Sequence, residues 1–196
     1  MHAASSVHAS LRISALLLCL SAQFLHAQDP EQEIRKVFDA YAAASLQADT
    51  SRMLDCIYPE LFRMISRQTI GAAIHEAYAD SAVPIRIVYN RLESISKAVE
   101  ADGIRYVLLR YRSGSSMRME EADSDAVESM RQSLTAVYGK QQVAYDAAQQ
   151  TFTVEYESSM YAILDPAYAG WKLLEKSDPP SPMLEEILPR KVLRMR

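Results

Sequence analysis

The chain is short of the residues that build metal centres, covalent staples and phosphate loops. Its 196 residues include two cysteines, four histidines and five glycines. Cys19, His2, His8 and His26 all fall within the first 27 positions, so only Cys56 and His75 lie beyond them. A zinc or iron centre built from such ligands needs three or four of them. An exported chain with one remaining cysteine forms no internal disulfide, so its stability rests on its core. Gly71, Gly103, Gly114, Gly139 and Gly170 each stand alone, which excludes a glycine-rich phosphate cradle. No Gly-x-Ser-x-Gly elbow is present. Nothing near Cys56 in sequence lowers a thiol pKa, so Cys56 reads as a small buried hydrophobe and not as the nucleophile of a pair with His75. Asp123-Ser-Asp125 lacks the spaced oxygen ligands of a calcium loop and reads as a helix start.

A long apolar run is also missing. The longest, Ile13–Ala22, is well short of the ~20 residues that span a bilayer. It follows Arg12 and precedes a short polar exit at Ala27, the layout of a secretory signal peptide over Met1–Ala27. A lipoprotein-type cleavage before Cys19 is the alternative. Leu18 is large for that site, and Cys19 sits inside the apolar run instead of at its end. Cleavage after Ala27 leaves 196 less 27, or 169, residues, which predicts a single domain over 28–196. The expected location is periplasmic or secreted. The formal net charge is −4, or −5 without Arg12, so there is no electrostatic pull toward nucleic acid. The basic stretch Arg190–Arg196 reads as a solvated helix end.

What is present is helix first and sheet afterwards. Ile34, Val37, Phe38, Tyr41 and Ser45 recur at helical spacing after Asp29-Pro30. Asp49-Thr-Ser51 caps a second short helix, Pro59 opens a third, and Ser66 a fourth whose inward side is read as Ile70, Ala73, Ile74, Ala77 and Tyr78. After Pro84 the pattern alternates. Strands are expected at Ile85–Tyr89, continuing weakly over Leu92–Glu100, and at Ile104–Arg112, extending toward Met119 with Gly114 as a bulge or bend. Asp102-Gly103 is a hairpin signal. A helix with Ala126, Val127, Met130, Leu134 and Val137 as its apolar stripe interrupts the strands and ends at Gly139. Strands return at Gln142–Tyr145, Thr151–Leu164 and Trp171–Glu175, and a last helix covers Met183–Leu188. The fold class is therefore α+β: N-terminal helices on a curved antiparallel sheet, an inserted helix and a short C-terminal helix.

Three stretches, Glu33–Tyr41 with Ala48-Asp49, Tyr58–Phe62 and Gly170–Glu175, together resemble the nuclear transport factor 2-like, cystatin-like cone superfamily. Its first helix, lid and closing strand match them in order. The chain also resembles uncharacterised exported members of that superfamily in Gram-negative bacteria, a likeness that implies no activity. The resemblance implies a cone between the first helix and one sheet face, and a sheet that commonly dimerises. It also brings in the ketosteroid isomerases, whose sites need a carboxylate base in an apolar cone and donors for an oxyanion.

The candidates follow. Phe38, Tyr41, Tyr106 and Arg110 are expected to line the cone as ligand contacts. For an isomerase-type site, Tyr41 and Tyr58 are the donors and Asp55 the base. Arg105, Arg110 and Arg112 are read as cross-strand partners of Glu155 and Glu157 on a solvated face, with an arginine-lined mouth as the alternative. The resulting expectation is an exported, non-catalytic binding domain without cofactor or metal. It would hold a small amphipathic molecule in the cone or a protein partner on the sheet, and the resemblance implies a homodimer. The alternative is a cofactor-free isomerase or cyclase. A carboxylate and a facing donor in the cone would favour the enzyme; a filled or purely apolar cone would favour the binding module.

Overall fold

Asp29 caps the first helix by accepting from the Glu31 N–H at 3.0 Å, and Pro30 occupies the first turn, where its missing N–H costs nothing. This computed structural model describes residues 29–79, 83–120 and 122–196. The leader expected over Met1–Ala27, with Cys19, lies outside them. Helix α1 (Pro30–Leu46) is followed by α2 (Thr50–Cys56), capped by Asp49, then by the single turn α3 (Leu61–Met64) and by α4 (Arg67–Ala79). The strands are β1 (Ile85–Ile95), β2 (Val99–Ala101), β3 (Ile104–Arg118), β4 (Val143–Asp146), β5 (Thr151–Leu164) and β6 (Lys172–Glu175). Helix α5 (Ser124–Tyr138) separates β3 from β4, and α6 (Pro182–Ile187) and α7 (Arg190–Leu193) close the chain. Among the described residues no helix is long and apolar enough to cross a membrane.

The sheet is antiparallel throughout. β1, β3, β5 and β4 lie side by side in that order, with β2 added to β3 and β6 to β5. Asp102 and Gly103 both take positive φ, +53° and +78°, the requirement of the tight turn joining β2 to β3. The bulge expected at Gly114 is elsewhere. β3 pairs with β5 without a break from Arg105 to Arg118, and the irregularities fall in β1, around Val88 and Glu93. Gly114 is needed because the Tyr89 ring lies across it, where a Cβ would collide.

The register sorts side chains onto two faces. Val107, Leu109 and Tyr111 of β3, Met160 and Ala162 of β5, and Leu173 of β6 pack against Ile34, Phe38 and Ala42 of α1. Tyr106, Leu108, Tyr161, Ile163 and Leu174 point the other way and are covered by Leu184, Leu188 and Val192 from the C-terminal helices. At the far end of the α1 face, Met117, Phe152 and Val154 pack beneath Leu134 of α5. Only Leu134 of the predicted α5 stripe is fully buried; Ala126 is exposed and Val137 is 73% exposed. In α4, Ile70, Ile74 and Tyr78 are half-buried but Ala73 and Ala77 face solvent. Both corrections share a cause. These helices rest on the rim of the sheet, so the contact stripe is narrower than helical periodicity allows.

Candidate functional site

Period-two alternation carries three polar side chains onto the α1 face at the ends of apolar runs. In β3 the run is Val107, Leu109, Tyr111. In β6, Leu173 is followed by Glu175. In β5, reading backwards from Ala162 and Met160, the next inward position is Ser158. The register then aligns them: Tyr111 pairs with Ser158, and Glu175 pairs with Met160, the next inward residue along β5. The hydroxyl of Ser158 donates to Glu175 Oε1 at 2.6 Å. That of Tyr111 donates to Oε1 at 2.9 Å, with 3.1 Å to Oε2. Phe38 of α1 braces the Tyr111 ring edge-on, 5.5 Å between centroids.

Glu175 is itself exposed, yet burial pushes its carboxyl pKa up against the opposing hydrogen bonds of Ser158 and Tyr111. The carboxyl stands at the open end of the α1 face, held by Tyr111 and Ser158 and reached by water. Tyr41 of α1 is half-buried here. Burial first, and then the charge of Glu175, raise its phenol pKa; Tyr78 and Tyr156 lie near enough to add to the same effect. Burial and Glu175 likewise raise Tyr111. Tyr156 stacks at a tilt on Tyr138, 5.1 Å between centroids, and continues the wall toward α5. Between Tyr111 and that end sits Ser113, only 1% exposed, with a hydroxyl that has no hydrogen-bond partner among the described residues.

The candidates read from sequence are only partly assembled. Phe38 and Tyr41 do share this wall. Tyr106 and Arg110 are on the opposite sheet face, so the four expected ligand contacts do not form one site. Tyr106 is buried beneath the C-terminal helices. Arg110 is exposed and lines a cleft of about 370 Å³ with Lys176, Asp178 and Arg196. Tyr58 is also on that far side, its hydroxyl donating to Asp165 Oδ2 at 2.7 Å. Asp55 is exposed on α2 and ion-paired to Arg67 at 2.6 Å, so it does not enter the cone as a base. The carboxylate in the α1 cone is Glu175. Its sequence signal was the alternation Trp171, Leu173, Glu175, an acid closing an inward stripe.

The strand arginines behave as surface groups. Arg112 pairs with both Glu93 and Glu157 at 3.1 Å, and Arg105 with Glu100 at 3.5 Å. Glu155 does not join them in an ion pair among the described residues. Cys56 is buried and reduced, and burial raises its thiol pKa, which opposes a nucleophilic role. His75 is exposed on α4. Asp123 caps α5 by accepting from the Ala126 N–H at 2.8 Å. Among the described residues no three His, Cys, Asp or Glu side chains gather to hold a metal ion. Comparison with protein-family models, with curated proteins and with solved structures finds no match for this chain.

Proposed function

We propose that the chain is an exported binding domain of the nuclear transport factor 2-like kind, which holds a small amphipathic molecule between α1 and the sheet without transforming it. The observation that carries this reading is Glu175: a carboxyl at the end of the apolar α1 face, hydrogen-bonded to Tyr111 and Ser158 and open to water. The half-buried Val37, Tyr41, Leu92 and Ile95, packed against the α1 core, would supply the apolar surface for such a molecule, with Glu175 as its polar anchor. A purely apolar lining does not describe this wall, because hydroxyls and a carboxyl are built into it.

A carboxylate on this face is also what an enzyme would need, so the reading against catalysis rests on where the two donors bonded to Glu175 point. Tyr111 and Ser158 are taken up by the carboxyl itself, leaving neither aimed at a place where negative charge would develop. The chain's one tryptophan, Trp171, belongs to the same core cluster as Phe38 and Leu173 and provides a reporter. Titrating the full chain with dodecanol below its aggregation limit should change Trp171 fluorescence saturably, and Phe38→Ala should weaken that response. A flat titration with dodecanol, dodecylamine and dodecanoate alike would sink the reading.

The raised Glu175 carboxyl favours one second reading, a cofactor-free isomerase in which Glu175 takes a proton from carbon next to a carbonyl and returns it elsewhere on the same molecule. It predicts deuterium exchange into a β,γ-unsaturated ketone that Glu175→Gln abolishes. Saturable binding without such exchange separates the two readings.

A further inference from the structure

The charge balance around Glu175 narrows the ligand, on the footing that the α1 cone is the binding chamber. A carboxylate held in place by two hydroxyl donors keeps its charge and its remaining lone pairs for a cation. Among the described residues no Lys or Arg nitrogen lies within the 4.0 Å of an ion pair from Glu175. Arg112 is engaged by Glu93 and Glu157 on the opposite face, and Lys176, next in sequence, is paired to Asp178. The groups that act on Glu175 are two hydroxyl donors, and the neighbour that feels its charge from α1 is the phenol of Tyr41. Near Tyr41 on this side are the phenols of Tyr78 and Tyr156, and phenol oxygens can accept hydrogen bonds. The site thus offers negative charge and lone pairs and lacks its positive partner.

We propose that the head group received by Glu175 is a protonated amine carried on an apolar body. An ammonium has three donors and no acceptor, so one N–H meets Glu175 and the others meet phenol or water oxygens. An anionic head would face Glu175 with no cation to offset it. A neutral alcohol would leave the charge of Glu175 unpaired.

The test uses three probes that share one tail: dodecylamine, dodecanol and dodecanoate, each titrated against the full chain at neutral pH with Trp171 fluorescence as the readout. The expected order is amine, then alcohol, then acid. The gap between the first two should be about ten- to a hundredfold in Kd, the usual worth of a charged hydrogen bond. Glu175→Gln, nearly the same shape without charge, should reduce that gap to about twofold or less while alcohol binding persists. Glu186→Gln, which removes an exposed carboxylate from α6, should leave the gap unchanged. Equal binding of amine and alcohol by the parent chain overturns the inference but leaves the chamber reading standing. A preference that survives Glu175→Gln also overturns it, since the amine is then recognised elsewhere. If none of the three probes binds, the chamber reading itself fails. The parent chain's order of affinities decides the matter even if the glutamine variant does not fold.

Discussion

The two faces of this sheet are built from the same strands and finished differently. On the face covered by α6 and α7, Tyr106, Leu108, Tyr161, Ile163 and Leu174 meet Leu184, Leu188 and Val192, and these side chains are buried. Its hydrogen-bonded phenols serve as latches. Tyr58 bonds Asp165, and Tyr168 bonds Glu60, tying the β5–β6 connection to the segment before α3. On the α1 face the apolar packing of Leu109, Met160 and Leu173 gives way to Tyr111, Ser158 and Glu175. Packing on the α1 face needs no carboxyl at this position, yet the hydroxyls of Tyr111 and Ser158 are both committed to one. The polar strip is therefore the part of the sheet that packing alone does not explain.

The largest expected effect comes from cutting into both cores. Phe38 is 1% exposed under the α1 face and Leu188 is 3% exposed under the other. Phe38→Ala should cost about 3–5 kcal/mol and Leu188→Ala about 2–5 kcal/mol, the usual range for large-to-alanine changes that leave a cavity. Urea unfolding measures both. The comparison sharpens in the ligand titration: only Phe38→Ala, which removes the brace behind Tyr111, should also weaken binding. Equal weakening by Leu188→Ala would mean that the two faces do not divide the work.

The division was half legible in the sequence. Alternation in Ile104–Arg112 and Thr151–Leu164 predicts strands, and Asp102-Gly103 predicts their turn. The α+β order follows from helical spacing ahead of Pro84. What alternation cannot supply is which helices cover which face. Arg110 and Tyr106 share a parity and therefore a face, but nothing local reveals that α6 and α7 cover that face and α1 the other. Asp55 attracted the role of base because it neighbours helical tyrosines in sequence. Its pairing with Arg67 depends on α2 meeting α4, a tertiary fact. Glu175 is missed by the sequence reading, although its place at the end of an alternating stripe is a signal that could have found it. Its partners Tyr111 and Ser158 lie 64 and 17 residues away, and only register brings them to it.

A middle-sized effect separates the faces by pH. The folded state raises the carboxyl pKa of Glu175 above its unfolded value of about 4.3, so folding favours the protonated form. The stability this contributes is fully present below the unfolded pKa and is lost as pH rises through the folded one. Glu175→Gln cannot ionise and so avoids that loss. Its Tm should exceed the parent's at pH 7, and the difference should shrink steadily toward pH 4. Leu188→Ala, which alters no ionisable group on the other face, is the comparison: its Tm should stay a fixed interval from the parent's across the same range. A Glu175→Gln Tm that stays a fixed interval from the parent's across this range would mean that the fold does not raise the Glu175 carboxyl.

The smallest effect distinguishes the two carboxylates that compete for the role of polar anchor. Asp55 and Arg67 are paired at 2.6 Å, with side chains 67% and 41% exposed. Water screens such a pair, and measured surface pairs contribute about 0–1 kcal/mol. Arg67 also donates to the Ser51 carbonyl at 3.0 Å, so it keeps a partner when the carboxylate is neutralised. Asp55→Asn should therefore shift the urea midpoint only slightly and leave amine and alcohol affinities where they were. The same change at Glu175 should alter the amine affinity and its pH dependence together. A loss of binding in Asp55→Asn would relocate the anchor to α2, and the contrast between the two sheet faces would lose its functional meaning, because α2 could then supply the charge from outside the strip formed by Tyr111, Ser158 and Glu175.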